Sequence, residues 1–256
     1  WWTKETVAVV TGGNKGIGFA LVKRLVELGL SVVLTARDKH KGEAAVEAIR
    51  EQLGLVASHV NNAGVSFKEL DENSVEHVES VMNTNFYGPK LLIQTLLPLF
   101  RCSSSSITRI LNVSSRLGSL NKVRNTKVKR MLESDELKED EIEEMVKFFV
   151  RDVRNGTWKS EGWPSYWTDY AVSKLALNAY SKVLAKKYNN KLMSVNCFCP
   201  GFTQTSMTKG KGTHTADQAA SLAAILALLP PHHLPTGKFF LLRNNATFLH
   251  VANSKL

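Results

Sequence analysis

The run Thr11-Gly12-Gly13-Asn14-Lys15-Gly16-Ile17-Gly18 constrains this chain more than any other stretch. Before it stands Thr6–Thr11 (TVAVVT), short, apolar and β-branched, which predicts a buried parallel strand. After it Ile17, Leu21, Leu25 and Leu28 recur at helical spacing, and Gly29 ends a helix predicted over Gly16–Leu28. In that setting each glycine has a purpose. Gly12 permits the sharp turn, Gly16 lets backbone approach a pyrophosphate, and Gly18 lets helix pack closely on strand. The helix N-terminus adds free N–H groups and a partial positive charge. Asn14, Lys15 and Ile17, between the glycines, complete the candidate cofactor-binding turn.

The alternation of strand and helix continues. Ser31–Thr35 (SVVLT) reads as a second strand and Lys41–Leu53 as a second helix, with Val46, Ile49 and Leu53 on one stripe. Leu55–Val60 reads as a short strand, Val75–Leu97 as largely helix, and Arg109–Val113 as a strand. Tyr170–Tyr188 follows as a helix, Met193–Phe198 as a strand, Ala216–Leu229 as a helix and Lys238–Leu241 as a last strand. This order predicts an α/β fold, a Rossmann-like doubly wound parallel sheet. With 256 residues, 43% of them hydrophobic, the chain suits one domain spanning 1–256.

Composition narrows the function classes. The net charge is +10, but the basic residues are scattered beyond small clusters such as Lys122–Arg130, so no nucleic-acid partner is expected. No stretch reaches the roughly 18 apolar residues of a membrane span. Ala219–Leu229 is too short and reads as a core helix. Cys102, Cys197 and Cys199 form neither a metal nor a disulfide pattern, so no metal is expected. Free thiols packed on a buried strand suit a reducing, cytoplasmic location. No signal peptide is read, although a chain opening on Trp1 leaves preceding residues open.

Arg37 lies just past the second strand, where an acid would bind a ribose 2′-hydroxyl and an arginine accommodates a 2′-phosphate. Lys15 offers a second cation, and Asp38 is read as pointing away. The cofactor expected is NADP(H). The Gly-x3-Gly-x-Gly spacing, together with Asn61-Asn62-Ala63-Gly64, resembles the short-chain dehydrogenase/reductase family. The resemblance implies that Asn62, Ala63 and Gly64 close over the adenine side of the cofactor.

Tyr170-Ala171-Val172-Ser173-Lys174 matches that family's Tyr-x3-Lys motif, and spacing by four puts Tyr170 and Lys174 on one helix face. Ser115, in Asn112-Val113-Ser114-Ser115, and Asn85, in Asn85-Phe86-Tyr87-Gly88, match the family's catalytic serine and helix asparagine. The implied chemistry is carbonyl reduction, or its reverse, by hydride transfer. A free phenol, with a pKa of about 10, exchanges protons poorly near neutrality. The resemblance implies that the Lys174 ammonium eases that exchange, with Tyr170 as general acid or base, Ser115 orienting the carbonyl and Asn85 holding a water. Pro200, Gly201 and Thr205, in Pro200-Gly201-Phe202-Thr203-Gln204-Thr205, match the turn that meets the nicotinamide.

Between Arg116 and Ser165 the rhythm breaks. Ile142, Met145, Val146 and Phe149 keep helical spacing, Ser134 is a candidate N-cap, and the acidic cluster Glu133–Glu144 reads as a solvated helix face. This inserted helical segment, about 116–165, Glu161-Gly162-Trp163-Pro164 and Pro235-Thr236-Gly237-Lys238 together resemble the family's monomeric carbonyl reductases of the plant salutaridine and neomenthol type. That group implies a monomer and a small-molecule carbonyl or alcohol substrate, apolar and of terpenoid kind. Trp163 and Phe202 are candidates to line its pocket.

One interval departs from the pattern. Only 25 residues lie between Thr35 and Asn61, enough for one helix and one strand where the family needs two of each. A βαβ unit alone takes ~30 residues. The sheet is therefore expected to lack one strand and one helix. Leu55–Val60 would take the fourth-strand position, leaving the second strand at an edge. A direct right-handed crossover would then carry the second helix to the opposite face of the sheet. The alternative function is a catalytically impaired, truncated or splice-variant reductase that at most binds cofactor.

Overall fold

The computed structural model describes residues 2, 6–53, 75–100, 108–188, 193–230, 233, 235–242 and 250–251. The chain divides into two compact units. The first takes Trp1–Gly64, Pro200–His233 and Leu242–Thr247, and the second takes Val65–Cys199, Leu234–Leu241 and Phe248–Leu256.

In the first unit β1 (Val7–Thr11) runs parallel to β2 (Ser31–Thr35), with Val9 opposite Val33. The connection is α1 (Gly16–Glu27), and α2 (Lys39–Leu53) follows β2. Strand alternation sends Val10 and Leu34 inward, where they meet Val22 and Leu25 of α1, Ala45 and Ile49 of α2, and Ala224 of α8 (Ala216–Ala227). The alternate positions Val7, Val9 and Val33 face outward and stay exposed. Among the described residues β2 pairs only with β1. The expected transfer of α2 to the opposite face does not occur: it shares one core with α1. Its apolar stripe matches that core, and burying it there outweighs the shortened connection. The strand read at Leu55–Val60 lies outside the described residues.

The second unit holds β3 (Thr108–Val113), β4 (Met193–Cys199), β5 (Phe239–Leu241) and β6 (His250–Val251), in that order. β3–β4 and β4–β5 are parallel, as the alternation predicts. β6 adds antiparallel and was not foreseen, because two residues carry no periodicity. β4 is buried at all seven positions, and Cys197 and Cys199 are free buried thiols.

The helix expected over Val75–Leu97 forms as α3 (Val75–Met82), a π-helical segment Asn83–Tyr87, and α4 (Gly88–Leu96). The insertion supplies α5 (Thr126–Glu133) and α6 (Glu139–Arg154). Ile142, Met145, Val146 and Phe149 of α6 are fully buried, in one core with α3 and α7 (Thr168–Lys187). Lys90 of α4 bridges Glu139 at 3.5 Å and Glu143 at 3.1 Å, tying α6 down. Ser134 is not the N-cap of α6. It ends α5, and α6 starts at Lys138, whose N–H donates to Glu141 at 2.8 Å. The acids of the first turn favour that start through the helix dipole.

Candidate active site

The glycine turn belongs to the first unit. Gly12 (φ 75°) and Gly16 (φ 55°) adopt left-handed backbone that disfavours any side chain. A Cβ on Gly18 would run into the Gly12 carbonyl, so the start of α1 packs tightly on the turn after β1. α1 has no side-chain cap at its N-terminus, whereas α2, α5 and α8 are capped by Asp38, Asn125 and Thr215. A helix start of this kind can receive an anion. Lys15 and Arg37 are exposed. Asp38 is engaged by Lys41, accepting its N–H at 3.0 Å and pairing with its ammonium at 3.2 Å. These contacts hold its carboxyl below the ordinary value.

Pro200–Thr205 also lies in this unit. The Phe202 carbonyl accepts from Thr213 N at 2.7 Å and His214 N at 3.2 Å, and the Gln204 N–H donates to the His214 carbonyl at 2.8 Å. Gly201 has φ 70°. The Thr205 methyl lies 3.3 Å from where a Gly16 Cβ would stand, so the turn and this loop are neighbours. Phe202 projects an exposed ring.

The second unit brings Ser115, Tyr170 and Lys174 together. α7 packs on β4, and polar side-chain pairs join it to β3 and the residues just after it. Asn112 Nδ2 donates to Ser181 Oγ at 2.8 Å, and Ser114 Oγ donates to Asn178 Oδ1 at 2.5 Å. Lys174 Nζ donates to the Val113 carbonyl at 2.9 Å, and the Ser115 and Tyr170 hydroxyls are hydrogen-bonded. On α7 these partners, 170, 174, 178 and 181, share one face. Lys174 Nζ sits 5.5 Å from the Tyr170 ring centroid. Burial is the main influence on both groups. It pushes the Tyr170 phenol above its ordinary value, with the Cys199 thiol adding to the rise and the Ser115 hydrogen bond opposing it. It also pulls the Lys174 ammonium down to about 8.

Asn85 is buried in the π-helical segment, where its amide donates to Ser173 Oγ at 3.2 Å. Ser173 in turn donates to the Tyr170 carbonyl at 2.8 Å. Interruptions of this kind recur at functional sites.

Trp163 is not a pocket residue. It is 3% exposed, donates its indole N–H to Asp152 at 2.9 Å and meets Phe149 edge-on. The insertion's own core claims the ring. Asn62, Ala63 and Gly64 lie outside the described residues.

Sequence reasoning missed Gly118 and Asn178. A Cβ on Gly118 would strike the Lys174 backbone, so this glycine lets the turn after Ser115 close on α7. Asn178 Nδ2 holds the Gly118 carbonyl at 3.1 Å. The signal available was the series of polar residues 170, 174, 178 and 181 on one face of the helix. Among the described residues no cluster of metal-ligating side chains occurs, and no helix is long and apolar enough to cross a membrane.

Comparison with known proteins bears on these arrangements. A family model described as short chain dehydrogenase matches residues 6–52 and 37–128, and one described as Enoyl-(Acyl carrier protein) reductase matches 157–253. The chain is 34% identical to (+)-neomenthol dehydrogenase of Arabidopsis thaliana, over 91% of this chain and 95% of that one. It is 32% identical to Carbonyl reductase [NADPH] 1 of Mus musculus, over 93% and 96%. The solved structure of salutaridine reductase from Papaver somniferum superposes with a TM-score of 0.79 at 33% identity, over 92% of this chain and 99% of that one. The alignment with neomenthol dehydrogenase runs over 284 positions, more than this chain's 256 residues, so the relative carries segments this chain lacks.

Proposed function

Because the chain belongs to the short-chain dehydrogenase/reductase family, we propose that it interconverts a carbonyl and an alcohol with NADP(H), Tyr170 serving as general acid and base. The observation that carries this reading is the seam between β3 and α7. It gathers Ser115, Tyr170 and Lys174, with Ser115 easing ionisation of the phenol and the Lys174 ammonium 5.5 Å from the ring centroid.

The residues present fit a phosphorylated dinucleotide. The uncapped N-terminus of α1 and the cradle at Gly12, Gly16 and Gly18 suit the pyrophosphate, with Asn14 and Ile17 on the same turn. Lys15 and Arg37 suit the 2′-phosphate, in keeping with a relative named for NADPH. Asn62, Ala63 and Gly64 are assigned to the adenine side, and Pro200, Gly201 and Thr205 to the nicotinamide end. The bound dinucleotide supplies hydride in reduction and takes it in oxidation.

The protein's own residues handle the oxygen. Ser115 donates to the substrate oxygen and orients it. Tyr170 Oη gives that oxygen its proton in reduction and removes the hydroxyl proton in oxidation. Its raised pKa keeps it protonated for the first task. The Lys174 ammonium stabilises the phenolate left behind. Asn85, linked to Tyr170 through Ser173, is assigned the water that renews the proton.

Exposed Phe202 suits an apolar substrate, a terpenoid ketone or aldehyde among the candidates. A monomer follows if α6, packed on α3 and α7, covers the surface other family members use to associate. The free thiols Cys197 and Cys199 suit the cytoplasm. The short interval after β2 favours a second reading, an impaired reductase that retains cofactor binding alone.

Titration of the full chain with NADPH, followed by turnover with apolar ketones, tests both. The first reading expects binding, and turnover that Tyr170→Phe lowers by about 10²–10⁴-fold with binding retained. Binding without turnover supports the second reading, and no binding overturns the first. NADPH binding unchanged by Arg37→Ala would remove the 2′-phosphate assignment.

A further inference from the structure

The loop that carries Gly201 also carries a buried polar atom that no described residue satisfies. His214 is 8% exposed, and its Nε2 has no hydrogen-bond partner among the described residues. The residue is held from both sides of its backbone, by the Phe202 carbonyl and the Gln204 N–H. Its ring edge lies over Gly201. A Cβ there would stand 2.9 Å from His214 Cδ2 and 3.1 Å from Nε2. Gly201 has φ 70°, so it leaves this cradle to the imidazole and can yield without a side chain moving.

A leucine would fill the same space with no polar atom to desolvate. The histidine gives up its solvation there for no bond in return among the described residues, and groups that harm the fold in this way collect at functional sites. Pro200–Thr205 is the turn assigned above to the nicotinamide end. We infer that His214 Nε2 is the hydrogen-bonding group reserved for that end of NADP(H), reached by a small shift of the Gly201 turn. This rests on the cofactor reading above. A neutral imidazole nitrogen can donate or accept, and a carboxamide presents both kinds of partner.

The test measures NADP+ binding to the full chain by titration and by thermal unfolding, without turnover. In His214→Leu the NADP+ Kd is expected to rise about tenfold while the Tm of the protein alone holds or increases, since an unsatisfied group is gone. His214→Gln, which keeps a polar edge, is expected to recover most of the affinity. Unchanged NADP+ affinity in His214→Leu overturns the inference. So does a glutamine variant as weak as the leucine variant, which would make the effect one of shape. A lower Tm with unchanged affinity also overturns it and points to a trapped structural water.

Should His214→Leu fail to fold, 15N-histidine-labelled wild-type protein supplies the answer. NADP+ is expected to shift the His214 Nε2 resonance, assigned by its loss in His214→Gln, and an unmoved resonance overturns the inference. Wild-type protein that binds no NADP+ overturns the cofactor reading as well. Wild-type binding with an indifferent His214 overturns this inference alone.

Discussion

Tyr170 and Lys174 are pushed by burial toward their neutral forms, one upward and the other downward. For Tyr170 that is the form a proton donor needs at every ordinary pH. For Lys174 it sets an upper limit, because the ammonium is lost as pH rises through about 8. Ketone reduction is therefore expected to fall on the alkaline side of that value. Lys174→Arg, whose guanidinium stays charged beyond pH 12, should carry the fall to higher pH even if the plateau is lower. A profile of kcat/KM against pH for both proteins checks this, and coincident alkaline limbs would count against it. Trp163 shows where residue type alone misleads. An aromatic beside the catalytic helix reads equally as pocket or core, and only the Asp152 carboxylate and the Phe149 ring decide for core.

Elements were legible where a run of one character met a clear stop. β1 and β2 are short β-branched runs and α1 is a helical stripe closed by Gly29, and their positions follow from that. The seam between β3 and α7 was half legible. Spacing by four places Tyr170 and Lys174 on one face, but it does not say that Asn112, Ser114 and the Val113 carbonyl will meet that face. Cross-element pairing depends on strand register, which a single sequence does not contain. The N-cap of α6 was misplaced because Ser134 is a good cap by type, whereas Lys138 succeeds through the Glu141 side chain. The position of α2 turned on which core could take Ala45 and Ile49, a tertiary matter. If β2 is an edge strand, amides of Ser31–Thr35 facing away from β1 should exchange with solvent faster than those of β4. Hydrogen exchange read by mass spectrometry or NMR checks this, and equal protection in both strands would refute the edge.

At the scale of the whole molecule, charge and apolar surface act against each other. The chain carries a net charge of +10, while Val7, Val9 and Val33 show an apolar sheet face to water. Like charge keeps copies apart in dilute buffer, but the repulsion reaches only about 8 Å at physiological ionic strength. If the outer rim of β2 is open, the valines beside it give two copies a place to add strands to one another. Colloidal behaviour should then depend on salt in a particular way. Light scattering is expected to show a steady particle size in dilute buffer and growth as sodium chloride is raised, with Val33→Lys suppressing the growth. A size that ignores salt would show the face to be shielded. The outward valines thus bear on storage: the protein is expected to keep best in dilute salt, well below its isoelectric pH of about 9.5.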